Sequence, residues 1–158
     1  MLLDTLGAFT WNDGYDRCTT FGYQMAYIPS NIEHLEITNI IENTPELDII
    51  TSCWLGALGF LIPTSPDIIW SWVAPNAPPW NITFAQQHLV DPGITIPEGS
   101  DLGLYFQNRA RADTVWTWSY SASTLSGTSG RQCVICFDNS TSSVFIYLYC
   151  NLLYIKLL

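Results

Sequence analysis

Five cysteines, Cys18, Cys53, Cys133, Cys136 and Cys150, constrain this chain more than any other feature. They lack the grouping of a metal site. The single C-x-x-C pair, Cys133 and Cys136, has no second pair and no clustered histidine to complete a tetrahedron. A dithiol redox motif opens a helix, whereas Val134 and Ile135 between these cysteines read as a strand. An oxidising compartment is the reading that fits them, and it sets an extracellular or cell-surface expectation. Two sequons, Asn81-Ile82-Thr83 and Asn139-Ser140-Thr141, agree with it and offer Asn81 and Asn139 as glycan acceptors.

A chain of 158 residues can bury roughly 70% of its extended surface, enough for one self-sufficient core. Hydrophobic residues make up 48% and charged residues 12%, which excludes a disordered chain. Fourteen acidic residues against five basic give a net charge of −9, and Lys156 is the only lysine. Such a surface repels phosphate backbones, so nucleic acid is excluded as a partner.

Both ends depart from an ordinary exported domain. Met-Leu-Leu-Asp has no basic n-region, and Asp4 interrupts any apolar run, so no signal peptide is read there. A fragment of a longer precursor, or a late start, would account for it. The stretch from Val144 to Leu158 is almost continuously apolar but shorter than the ~20 residues of a spanning helix. Part of a membrane anchor, a strand pair completing the core and a tail without a native role all remain open for it.

The intervening chain reads as α+β. Thr10 is placed to cap a helix that carries Trp11, Tyr15 and Cys18 on one face and stops at Gly22. Gln24 to Pro29 forms a brief extended link. Ser30 and Glu33 then form a capping box for a second helix, with Ile32, Leu35, Ile37, Ile40 and Ile41 as its apolar stripe and Pro45 as its end. No further helix is expected before the tail. Strands are expected at 53–57, 68–73, 102–106, 114–120 and 132–137, and a long proline-rich segment, 74–100, at a functional position. These elements make one domain over 1–138 and leave an apolar tail over 139–158.

In this order the elements resemble a C-type lectin-like domain. The opening TWNDGYDRC and the link Met25-Ala26-Tyr27-Ile28 match its first helix and the turn into its second; CWLGA matches its central WIGL strand. Trp70-Ser71-Trp72, Asp101 to Phe106, VWTWSYS and QCVICFD then match its later strands, over about residues 8–138. The resemblance implies two helices flanking a small twisted antiparallel sheet, with the N-terminal strand truncated here and a long loop bearing the ligand site. It also implies a disulfide from the first helix to the last strand, here Cys18 to Cys136, against the alternative of two separate buried thiols. The family's second bridge is missing, since its positions match Leu102 and approximately Ser121. Cys53 and Cys133 are left over as an open second pair, and Cys150 is unassigned.

Sugar-binding members of the family hold Ca²⁺ through a loop tripeptide, a nearby acid and a W-N-D strand. Here the tripeptide position reads Asp91-Pro92-Gly93: Asp91 keeps a carboxylate, Pro92 could supply a cis bend, and Gly93 offers no side-chain oxygen. Glu98 stands near the additional acid, and Trp116-Thr117-Trp118 replaces W-N-D. Ca²⁺ needs six to eight oxygens, so no metal site is expected, Asp91 and Glu98 being its only weak remnants. Trp11-Asn12-Asp13 belongs to a helix cap. Trp80, Trp116 and Trp118, with Phe84, are candidate aromatic platforms for a sugar ring or a protein partner, although core packing accounts equally well for Trp116 and Trp118. Trp54, Trp70 and Trp72 are expected in the core.

Enzymatic readings are weaker. The pairs Asp91/Glu98 and Glu98/Asp101 could flank a glycosidic bond, but their loop is already explained. His34 is expected to be solvated beside Glu33, and His88 lies in the long segment without a partner at catalytic spacing. The function expected is non-enzymatic recognition of a glycan or glycoprotein, without calcium or other cofactor. The alternative is a calcium-independent protein-interaction or structural domain of a membrane-anchored surface protein.

Overall fold

The computed structural model describes residues 10–47, 51–93, 95–96, 99–108, 115–123, 133–138, 143–148 and 152–155. Glu98, Asn139 and Cys150 lie outside the described residues.

Helix α1 spans Trp11–Thr20. The Thr10 hydroxyl accepts the Asp13 N–H at 3.0 Å while the Asp13 carboxylate accepts the Thr10 N–H at 3.0 Å, a reciprocal cap on two otherwise orphaned donors. The helix closes through Gly22, whose φ of +77° suits a residue without Cβ. Strand β1 (Gln24–Met25) follows, then α2 (Asn31–Asn43). Ser30 caps α2 by accepting the Ile32 N–H, but its hydroxyl donates to the Glu33 carboxylate, so the expected backbone half of the box is replaced by a side-chain pair. The stripe on α2 also differs from expectation. Ile37, Ile40 and Ile41 are buried, Ile32 and Leu35 are 68% and 56% exposed, and His34 occupies the inward position at 5%. His34, Ile37 and Ile41 recur at i, i+3 and i+7, so they share a face that Ile32 and Leu35 leave.

A third helix, α3 (Ile82–His88), lies within the segment expected to be loop. Its cap is Asn81, whose Oδ1 accepts the Phe84 N–H at 3.1 Å. The same residue opens a sequon, and in the sequence that role masks the cap.

Among the described residues, strand β2 (Ser52–Leu61) is the centre of an eight-stranded sheet. It pairs antiparallel with β3 (Ile68–Trp72) and β4 (Asp101–Gln107), and β4 with β5 (Thr117–Ala122). With β6 (Cys133–Asp138) it is parallel, at Cys53–Cys133 and Trp54–Val134. The sheet is therefore mixed, not purely antiparallel as expected. Part of the apolar tail forms β7 (Ser143–Leu148) and β8 (Leu152–Ile155), a hairpin that extends this sheet from β6. Among the described residues no helix is long and apolar enough to cross a membrane.

Two disulfides pin the layers. Cys18–Cys136 joins α1 to β6 with Cα atoms 5.7 Å apart, and Cys53–Cys133 joins the parallel strands at 4.5 Å. Such bridges are typical of extracellular proteins. Strand parity explains the pairing. Cys133 and Cys136 are an odd number of residues apart, so they leave β6 on opposite faces and cannot close on each other. Cys136 joins the core beneath α1 with Trp11, Trp54, Tyr105 and Val134; Cys133 joins the core beneath α2 and α3 with Leu55, Ile135, Trp116 and Trp118. Glycine makes room on the α1 side. A Cβ on Gly103 would stand 2.6 Å from the Trp11 ring, whose Nε1–H donates to the Leu55 carbonyl at 2.8 Å.

Candidate functional site

The segment from Ala74 to Gly93 leaves β3, forms α3 and returns alongside β5. Its fastening is aromatic. Trp80 packs on Trp70 at 5.7 Å and on Trp72 at 4.8 Å between ring centres, and Phe84 meets Trp118 edge to face at 5.3 Å. The crevice between Trp72, Trp80, Phe84 and Trp118 leaves no room for a water molecule. Beyond α3 the backbone docks on the free side of β5: Val90 N–H donates to the Trp118 carbonyl at 2.8 Å, and the Ser119 hydroxyl donates to the Val90 carbonyl at 3.0 Å.

Trp116 and Trp118 are 1% and 0% exposed, which removes both as platforms. Their indole N–H groups turn toward α2, Trp116 to the Glu42 carboxylate at 2.7 Å and Trp118 to His34 Nδ1 at 3.2 Å. Buried indoles need acceptors, and α2 supplies them. Trp80 is half-buried. Asp91 is exposed, and its Oδ1 accepts the Gly93 N–H at 2.8 Å, a local turn. Pro92 is half-buried, and no peptide bond among the described residues is cis. Among the described residues no three His, Cys, Asp or Glu side chains converge to hold a metal ion. Asn81 is exposed at the head of α3.

What sequence reasoning missed is the histidine pair. His34 on α2 and His88 at the end of α3 stack with ring centres 4.0 Å apart, and Phe106 and Trp118 pack around them. Burial, then the neighbouring His88, holds His34 down at about 4, against a smaller upward pull from a hydrogen bond to the Trp116 backbone. Burial also lowers His88, whose Nε2 is enclosed without a partner. Both rings are neutral at pH 7. The signal available in the sequence was His34 in the i, i+3, i+7 row with Ile37 and Ile41. Burial, with Asp91 second, raises the Tyr120 hydroxyl.

The surface that remains for a ligand is apolar at several points. Ile82 is 62% exposed, Val90 43% and Val115 65%. A separate hollow of about 220 Å³ lies between α1, β1 and the chain after β3, walled by Tyr15, Tyr23, Met25 and Pro75. Comparison with protein-family models, with curated proteins and with solved structures finds no match for this chain.

Proposed function

We propose that this chain is an extracellular, non-enzymatic recognition domain of C-type lectin-like design, which contacts a protein or glycoprotein through residues 74–93 without a calcium cage. The order of its elements and the bridge from α1 to β6 support the design. The observation that carries the function is a long connecting segment fastened by Trp80 and Phe84 yet presenting Ile82 and Val90 outward. A segment held in one conformation loses little freedom on binding, so its exposed apolar side chains contribute to affinity. A protein surface is favoured over a bare sugar because stacking on a sugar needs an open indole face. Trp116 and Trp118 are enclosed, and Trp80 is taken up by Trp70 and Trp72.

A cell-surface protein library and a glycan array, each screened with and without EDTA, test this reading. A protein hit insensitive to EDTA and weakened at least tenfold by Ile82→Asp or Val90→Asp is expected. A glycan signal that depends on calcium and disappears in Asp91→Ala would overturn it.

A further inference from the structure

The histidine stack sits where the presenting segment meets the core. We propose that His34 and His88 form an acid-released latch: neutral, they hold α3 and residues 89–93 against β5, and protonation frees that segment. The latch stands on the packing and hydrogen bonding of the pair; its consequence, discharge of a bound ligand on acidification, rests on the recognition role proposed above.

Three features of the site make it proton-sensitive. First, His34 Nδ1 already accepts the Trp118 indole N–H. With its other side facing the Trp116 backbone, a second proton must enter at Nδ1, where it would set donor against donor and break that bond. Second, the two rings lie face to face at 4.0 Å, so two imidazolium charges would repel at close range with little water between them. Third, His88 Nε2 is enclosed without a hydrogen-bond partner, so a proton on that nitrogen would go unpaired.

Among the described residues no neighbouring carboxylate compensates. On α2, Glu33 accepts from Ser30, Glu42 accepts from Trp116, and Glu36 is exposed. On α3, His88 is the only titratable group. On the returning segment Asp91 turns to the Gly93 N–H and lies beside Tyr120 of β5. On β4, Asp101 is exposed at the strand's start and Tyr105 belongs to the opposite core.

These contacts set the sign. A histidine held near 4 when docked and near 6.5 when freed favours the docked form at neutral pH, and this preference fades as pH falls from 6.5 toward 4. Between pH 7.5 and pH 5 the opening equilibrium of the segment should rise by at most about 30-fold through His34, the limit in which release restores its ordinary value. Hydrogen exchange on the intact disulfide-bonded chain, expressed as protection relative to intrinsic rates at each pH, reads this directly without any ligand. Protection of residues 82–91 should drop by at least tenfold at pH 5 while β2 and β4 stay protected. In His34→Gln, whose amide oxygen can still accept the Trp118 indole N–H but which cannot protonate, the drop should shrink severalfold. His88→Phe, which keeps a ring in the stack but cannot protonate, is the second variant, and there the drop should shrink by a smaller factor. Unchanged protection in the native chain overturns the latch, as does simultaneous loss across β2 and β4, or an equal drop in both variants. Loss of ligand binding at neutral pH would instead count against the recognition role and leave the latch standing.

Discussion

The two disulfides are nested, and nesting fixes how much each contributes. Alone, Cys18–Cys136 closes a loop of 118 residues, for which unfolded-chain entropy gives about 5 kcal/mol. Cys53–Cys133 closes 80, worth about 4.5 kcal/mol. Together they are not the sum. Once the inner bridge is in place, the outer one closes only the 35-residue separation from Cys18 to Cys53 and the three-residue separation from Cys133 to Cys136. Removing the outer bridge by Cys18→Ala/Cys136→Ala should therefore cost about 4 kcal/mol, and removing the inner by Cys53→Ala/Cys133→Ala about 3.5. Removing both should cost about 8 kcal/mol, more than the two separate losses combined, because each single variant still carries the bridge that shortens the other's loop. Against an ordinary domain stability of 5–15 kcal/mol, a loss of about 4 leaves either single variant folded, and a loss of about 8 exceeds the lower part of that range. Urea unfolding of the three variants at 25 °C measures this. An outer-bridge variant within about 1 kcal/mol of the parent would refute the reasoning, since it would mean that this covalent link does not restrain the unfolded chain.

Three other outcomes rest on the packing. Gly103→Ala should cost about 1–3 kcal/mol and shift tryptophan emission, because the new methyl meets the Trp11 ring at 2.6 Å in a filled core; an unchanged midpoint and spectrum would show that Trp11 lies elsewhere. Thr10→Ala should cost about 1 kcal/mol through loss of the reciprocal cap with Asp13, read as a lower urea midpoint at constant slope. Stability should fall with acidification, because burial holds His34 at about 4 in the folded chain, and the preference for the folded form that this gives at neutral pH is lost between pH 6.5 and 4. A melting temperature flat from pH 7.5 to 5 would contradict its burial.

Much of the fold is legible in the sequence because its signals are local. Thr10 and Asp13 bond each other three residues apart, Gly22 takes the one conformation other residues resist, and alternation places Trp70 and Trp72 on one face. The Cys18–Cys136 link comes through the resemblance, and the geometry matches it. The Cys53–Cys133 link stays open in the sequence, although parity along QCVICFD already separates Cys133 from Cys136 across the strand. What cannot be read locally is α3. Its seven residues offer no apolar stripe long enough to register, and only Asn81, doubling as a sequon, announces it.

The site escapes a sequence reading for a related reason. Residue type suggests that histidine beside glutamate faces water and that isoleucine faces the core, yet α2 inverts this at positions 32–35. The cause lies 84 residues away, in the indole of Trp118, which needs an acceptor once buried and finds it at His34 Nδ1. An aliphatic side chain at 34 would pack equally well and leave that N–H unsatisfied. The same requirement takes Trp116 to Glu42. The strand carrying Trp116 and Trp118 is therefore committed inward by hydrogen bonding as well as by apolar area. The two indoles at that strand give the core two polar contacts that run to α2, one to the Glu42 carboxylate and one to the His34 ring. On the proposed reading, recognition falls to the segment that this core holds in place, and its docking is coupled to the protonation of His34 and His88.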